Sequence, residues 1–161
     1  MNSETPPQLR AALVFGGSRG IGAGTALRLA RDGFAVALTY VARPEKAAEL
    51  VAEIEAFGGQ AVAIEADSAD PKAIKAAVLK AVDRFGPIDA VVVNAGIMRV
   101  GTIDTFSLED LDQMLAVNVR GVYLAIQAAA SRMRDGGRII TIGSNTAIRS
   151  SYPATLRLRH D

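Results

Sequence analysis

A chain of 161 residues, half of them apolar, has room for one domain with its own core, and its 18 basic against 17 acidic residues leave a net charge of +1. That balance gives no electrostatic reason to expect nucleic acid or an anionic membrane surface as a partner. The absence of cysteine excludes disulfides, thiolate nucleophiles and cysteine metal sites, and a single histidine, His160, excludes histidine metal clusters and Ser-His-Asp catalysis. No metal site is expected. Chemistry is left to hydroxyls, carboxylates, amides, Lys and Arg, or to a bound cofactor. Residues 1–10 carry an acid and two prolines but no apolar stretch of the signal-peptide kind. No apolar run approaches the roughly 18 residues that would span a bilayer. The expectation is a cytoplasmic protein.

In chain order, short β-rich runs alternate with longer alanine-rich helical ones. Residues 11–15 read as an apolar strand ending at Gly16-Gly17. The spacing predicts a helix over 21–32, stopped by Gly33, and a second strand over 34–41. Pro44 opens a second helix that stops at Gly58-Gly59. A third strand follows over 60–66. Asp70 followed by Pro71 is an N-cap and helix-opening pair, and that helix ends at Phe85-Gly86-Pro87. Residues 88–93 are apolar on both faces except for Asp89, as a parallel strand covered by helices on both sides requires. Ser107 caps the longest predicted helix, with Glu109 and Asp110 in its first turn, where the helix dipole favours acids. Its apolar stripe runs through Leu108, Leu111, Leu115, Val119, Val122, Ile126 and Met133. Asp135-Gly136-Gly137 is read as its end, and 138–143 as a fifth strand. Strands alternating with helices of this length imply right-handed βαβ units in one open, doubly wound parallel sheet of the Rossmann-like α/β class, with five strands.

Four positions along this pattern carry chemistry. The turn after the first strand is Gly16-Gly17-Ser18-Arg19-Gly20-Ile21-Gly22, whose glycines let the backbone approach a pyrophosphate and aim helix N-terminal amides at it. Asp67-Ser68 ends the third strand, Asn94-Ala95-Gly96 ends the fourth, and Asn118 sits in the long helix within Val117-Asn118-Val119-Arg120-Gly121. Taken singly, each has an ordinary reading. The glycines could form a plain turn, Asp67 could be a turn residue, and Asn94 could open a loop.

Taken in order, the four resemble the short-chain dehydrogenase/reductase family, most closely its 3-oxoacyl-carrier-protein reductase branch. The resemblance runs from the first strand to about Pro153. It implies that Gly16, Ser18, Arg19, Gly20, Ile21 and Gly22 bind the cofactor phosphates, that Asp67 and Ser68 meet the adenine ring, and that Asn94, Ala95 and Gly96 line the same cleft. It also implies that Asn118 serves a proton relay and that Ser144, in Ile142-Gly143-Ser144-Asn145, orients a substrate carbonyl. Phe15 stands where the family carries Thr.

Cofactor choice follows from charge. A site for the unphosphorylated dinucleotide places Asp or Glu at the end of the second strand to hold the ribose 2′-hydroxyl. Here that stretch is Thr39-Tyr40-Val41-Ala42-Arg43, without an acid. Arg19 in the glycine turn and Arg43 after the strand would meet a 2′-phosphate with cations, so NADP(H) is favoured, with Tyr40 beside it. Arg43 taken alone also reads as a solvated residue at a helix start.

The pattern breaks after Ser144. The family's proton donor is a Tyr followed four residues later by Lys. Here Tyr152 comes eight residues after Ser144, Leu156 stands at the Lys position, and Lys80 is the last lysine. The expectation is an incomplete family fold: a dinucleotide-binding domain over 1–153 that lacks the family's C-terminal third, and a non-family tail over 154–161. Catalysis would then be impaired, the fifth strand would be an uncovered edge, and the helical face would favour a homo-oligomer. A small carbonyl or alcohol is the substrate the family implies. A non-catalytic nucleotide-binding protein and a self-associating remnant are the alternatives.

Overall fold

The computed structural model describes residues 9–144. Five parallel strands lie in the order β3-β2-β1-β4-β5: β1 (Arg10–Phe15), β2 (Phe34–Tyr40), β3 (Ala61–Glu65), β4 (Ile88–Val93) and β5 (Met133–Thr141). Helices α1 (Gly20–Arg31) and α2 (Pro44–Ala56) connect the first three strands, and α3 (Pro71–Phe85) leads into β4. The doubly wound α/β expectation holds, and residues 88–93 form a strand with the bounds read from sequence.

The alternation along β1 builds two cores. Leu13 and Phe15 face a cluster containing Ile74, Val78 and Phe85 of α3 together with Ala125 and Ala129. Val14 points the other way, among Ala26 and Ala30 of α1 and Ala47, Leu50 and Ile54 of α2. Strands buried on both faces explain the unbroken apolar runs. At the amino ends of the strands, the one polar residue of β4 does structural work. Asp89 Oδ2 accepts from the Ala11 amide at 2.7 Å, and Oδ1 lies 3.4 Å from Arg134 Nε, so one carboxylate joins the starts of β1, β4 and β5.

Two expectations need correction. The long helix is not continuous: α4 (Leu108–Leu115) passes into a π-helical turn, Ala116–Gly121, and then α5 (Val122–Ala130). A π turn holds an extra residue, which rotates everything downstream by about 100° relative to a straight helix. The apolar stripe therefore splits. Val122 and Ile126 pack on the core, whereas Leu108, Leu115 and Val119 are exposed. The helix also ends earlier than expected. The Arg132 amide closes a tight turn on the Ala129 carbonyl, and the Arg132 carbonyl accepts from Ile88, which draws Met133 into the sheet. Asp135-Gly136-Gly137 lies inside β5, where the register jumps between the pairs Ile88–Met133 and Ala90–Arg138. Among the described residues β5 pairs with β4 alone, and Ile140 is exposed on it.

Candidate functional site

The strand order reverses at β1, which has β2 on one side and β4 on the other. In open α/β sheets the crevice outside the carboxyl ends at such a reversal is where ligands bind. The glycine turn and the 94–96 loop meet there.

Each glycine of the turn has its own reason. Gly16 has φ +70°, and a Cβ on it would lie 2.8 Å from Ala95 Cα. Gly22, in the first turn of α1, lies against the glycine turn itself, where a Cβ would strike the Gly16 carbonyl and come within 2.6 Å of Asn94 Nδ2. Gly20 differs. Its φ is +54°, and a Cβ there would have nothing within 4 Å. It faces open space at the N-terminus of α1, whose first amides have no partner within the helix. Arg19, at the N-cap, makes no side-chain cap, and no acid occupies the first turn. By contrast Asp70 caps α3 through the Lys72 amide, and Ser107 caps α4 through the Asp110 amide. Unpaired amides and the positive end of the helix dipole thus face solvent together, a geometry that suits an anion.

The turn is held by groups on both neighbouring strands. Asn94 Nδ2 donates to the Gly16 carbonyl at 2.9 Å, and the Asn94 amide to the Phe15 carbonyl at 3.2 Å. On the other side the Gly16 amide donates to Thr39 Oγ1 at 2.9 Å, and the Gly17 amide to the Thr39 carbonyl at 2.9 Å. Thr39 is almost completely buried. Sequence reasoning gave it no role, although a threonine at the end of the apolar run Phe34–Leu38 was the available signal. With Phe15 filling the core at the end of β1, the hydroxyl beside the first glycine comes from β2.

Asn118 lies in the π turn, and both ends of its amide are engaged by one residue. Its Oδ1 accepts from the Ile97 amide at 2.9 Å, and its Nδ2 donates to the Ile97 carbonyl at 2.7 Å. Gly96 allows this approach, since a Cβ there would lie 3.3 Å from Asn118 Oδ1. Asp67 is exposed, and its Oδ1 accepts from the Ala69 amide at 2.8 Å, so it is at least a turn residue. Ser68 next to it is buried.

Ser18 and Tyr40 are half-buried, while Arg19, Ile21, Arg43 and Ser144 are exposed. Arg43 is the one non-glycine residue with positive φ among the described residues, at +62°. Side chains rarely accept that conformation, and here it turns the chain sharply from β2 into α2. Ser144 lies three residues past the end of β5. Tyr152, Pro153 and the tail over 154–161 lie outside the described residues. In the loop after β4, hydrogen bonds from Thr102 and its own backbone hold the exposed Asp104 carboxyl below the ordinary range, as a turn anchor. Among the described residues no cluster of His, Asp or Glu could hold a metal ion, and no helix is long and apolar enough to cross a membrane.

Comparison with known proteins decides the family. The pattern of the short chain dehydrogenases matches residues 10–155. The chain belongs to the short-chain dehydrogenase/reductase family. It is 40% identical over 144 residues to versicolorin reductase 1 of Aspergillus parasiticus, covering 89% of this chain and 55% of that protein. It is 39% identical over 137 residues to the 3-oxoacyl-acyl-carrier-protein reductase FabG of Staphylococcus aureus, covering 84% of this chain and 56% of that one. A short chain dehydrogenase from Burkholderia cenocepacia, solved in complex with NADP, superposes with a TM-score of 0.86 at 52% identity, covering 90% of this chain and 59% of that structure. The chain thus spans little more than half the length of these short-chain dehydrogenase relatives.

Proposed function

We propose that this chain carries the dinucleotide site of an NADP(H)-dependent short-chain oxidoreductase, with residues 1–153 as the cofactor-binding domain and 154–161 as a tail outside it. The observation that carries the reading is Gly20. It faces open space at an uncapped helix N-terminus, between two glycines where a Cβ would come within 2.8 Å of Ala95 Cα (Gly16) and 2.6 Å of Asn94 Nδ2 (Gly22). A Cβ on Gly20 would fill the place where a pyrophosphate needs to sit.

In this reading the amides of Ser18, Gly20 and Ile21 hold the pyrophosphate. Gly16, Gly22, Asn94, Ala95 and Gly96 fix the wall behind it. Asp67 and Ser68 bound the adenine, and Tyr40 stands at the end of β2 beside the ribose. Arg19 and Arg43 are exposed cations at the 2′-position, with no acid between Thr39 and Arg43. The NADP complex of the Burkholderia relative supports the same choice.

When bound, the nicotinamide supplies or accepts the hydride of a carbonyl–alcohol interconversion. Ser144 would orient the carbonyl. The Asn118 side chain is committed to Ile97 at both ends, so its part in a proton relay falls to its main-chain carbonyl, in a turn whose wide geometry weakens ordinary helical pairing. Ketone reduction also needs an acid, and general-acid help is worth about 10²–10⁴ in rate. A serine hydroxyl is too weak an acid for the role, and no Lys follows Lys80. A polypeptide of these 161 residues therefore binds cofactor with little or no turnover. Exposed Leu115, Val119 and Tyr123 line an open groove of about 960 Å³ on the helical face, which supports association into a homo-oligomer.

The test is a fluorescence titration of NADPH and NADH against the wild type and Arg19→Ala. Arg contacts to a phosphate are charge-assisted and contribute about 1.5–3 kcal/mol, so NADPH should bind roughly tenfold or more tighter, and Arg19→Ala should remove most of the difference. Equal wild-type affinities would refute the NADP(H) assignment.

A further inference from the structure

Two loops that border the candidate site are anchored on a single turn of helix. On one side the π turn touches the 67–69 loop. Gly121 is buried, and a Cβ there would run into the Ser68 carbonyl oxygen and lie 3.1 Å from the Ala116 carbonyl oxygen. Next to it, Arg120 Nη2 donates to the Ala69 carbonyl at 3.2 Å. On the other side the same turn holds the 94–97 loop, through the double hydrogen bond between Asn118 and Ile97. Glycine weakens a helix interior relative to alanine, so its place here calls for a tertiary reason, and the close approach of Ser68 supplies one.

We propose that Arg120 and Gly121 are positioning residues. They seat the π turn on the 67–69 loop, so that ordering of that loop by a bound adenosine group tightens the Asn118–Ile97 clamp. The inference rests on the reading of 67–69 as the adenosine end of the dinucleotide site. Its physical basis is that one turn of six residues carries both sets of contacts: Gly121 and Arg120 on the 67–69 loop, and Asn118 on Ile97. A displacement of that turn from Ser68 therefore also displaces Asn118 from Ile97. A ligand that favours the seated loop therefore favours the closed clamp.

The test uses the full 161-residue chain and adenosine 2′,5′-bisphosphate, which carries adenine and the 2′-phosphate but no nicotinamide. Amide hydrogen exchange is read at Ile97, whose N–H is held by Asn118. In the wild type the bisphosphate should slow Ile97 exchange several-fold. Arg120→Met and Gly121→Ala should each lose that slowing, and Arg120→Lys should restore part of it, which a general loss of packing would not do. Arg120→Met keeps the test decisive should Gly121→Ala fail to fold. Failure of the wild type to bind the bisphosphate would overturn the cofactor reading and this inference with it. Binding with Ile97 exchange unchanged would overturn the inference alone. Slowing that survives in the folded variants would also overturn it, since the signal would then reach Ile97 through Gly96.

Discussion

Two glycines of this chain have the same backbone problem and different surroundings, which allows strain to be separated from function. Gly20 has φ +54° and Gly58 has φ +85°, and a Cβ on either would meet nothing within 4 Å. Replacing either with valine costs the left-handed backbone penalty of about 1–2 kcal/mol. For a chain of this size that corresponds to a loss of about 2–8 °C in Tm. At neither position does the added Cβ overlap an atom of the folded chain. Gly58 follows α2 near the amino ends of the strands, whereas Gly20 opens α1 at the carboxyl end of β1. If the open space at Gly20 is the pyrophosphate site, Gly20→Val puts methyl groups in it and removes charge-assisted hydrogen bonds worth about 1.5–3 kcal/mol each. Losing two of them lowers affinity by about 100-fold or more. The assay is thermal melting of both variants followed by NADPH titration. Similar melting with binding lost only in Gly20→Val is the expected result. Normal NADPH binding by folded Gly20→Val would refute the argument and make the glycine turn purely structural.

Thr39→Val keeps the shape but leaves the Gly16 amide without its acceptor, so stability should fall by about 1–3 kcal/mol in urea unfolding, with weaker NADPH binding. Asp89→Ala removes the acceptor for Ala11 and the partner of Arg134, and should cost about 1.5–3 kcal/mol. Asp32→Ala, which breaks the exposed pair with Arg28, should cost only about 0.3–0.5 kcal/mol. With acetoacetyl thioesters or simple diketones, the 161-residue chain should oxidise little or no NADPH at saturating cofactor. Steady absorbance decay that Ser144→Ala abolishes would contradict this and bring Tyr152, or a residue of a second chain, into the role of acid.

The succession of strands and helices along the chain was legible because its signals are local. A strand covered on both faces has to be apolar on both, so 88–93 declared its own bounds, and the caps Asp70 and Ser107 satisfy amides within their own helices. The long helix misled for the opposite reason. Apolar spacing is an average over several turns, and one extra residue in a π turn leaves the spacing nearly intact while changing which face each residue presents. In a straight helix Leu115 and Val119 would share one stripe with Val122 and Ile126; in the observed one they are exposed while Val122 and Ile126 pack on the core. Met133 fits the end of a helical stripe and the start of a strand equally well, and only its pairing with Ile88 decides between them.

The same distinction runs through the candidate site. The letters Gly16, Gly20 and Gly22 announce a backbone that must approach something, but not what it approaches. Gly16 is glycine because Ala95 is near and Gly22 because Asn94 and Gly16 are near, whereas Gly20 has a positive φ and open space around it. The groups that give Thr39 and Gly121 their roles lie far from them in sequence, at Gly16 and at Ser68. A residue whose partner is within a few positions can be read from the sequence. One whose partner is brought in by topology becomes readable only once β1 is known to lie between β2 and β4. The open face of Gly20 belongs to a third kind: a Cβ there would meet no atom of the chain, and under the proposed function that space is left for a ligand, whereas the other close approaches in the turn are accounted for by atoms of the chain.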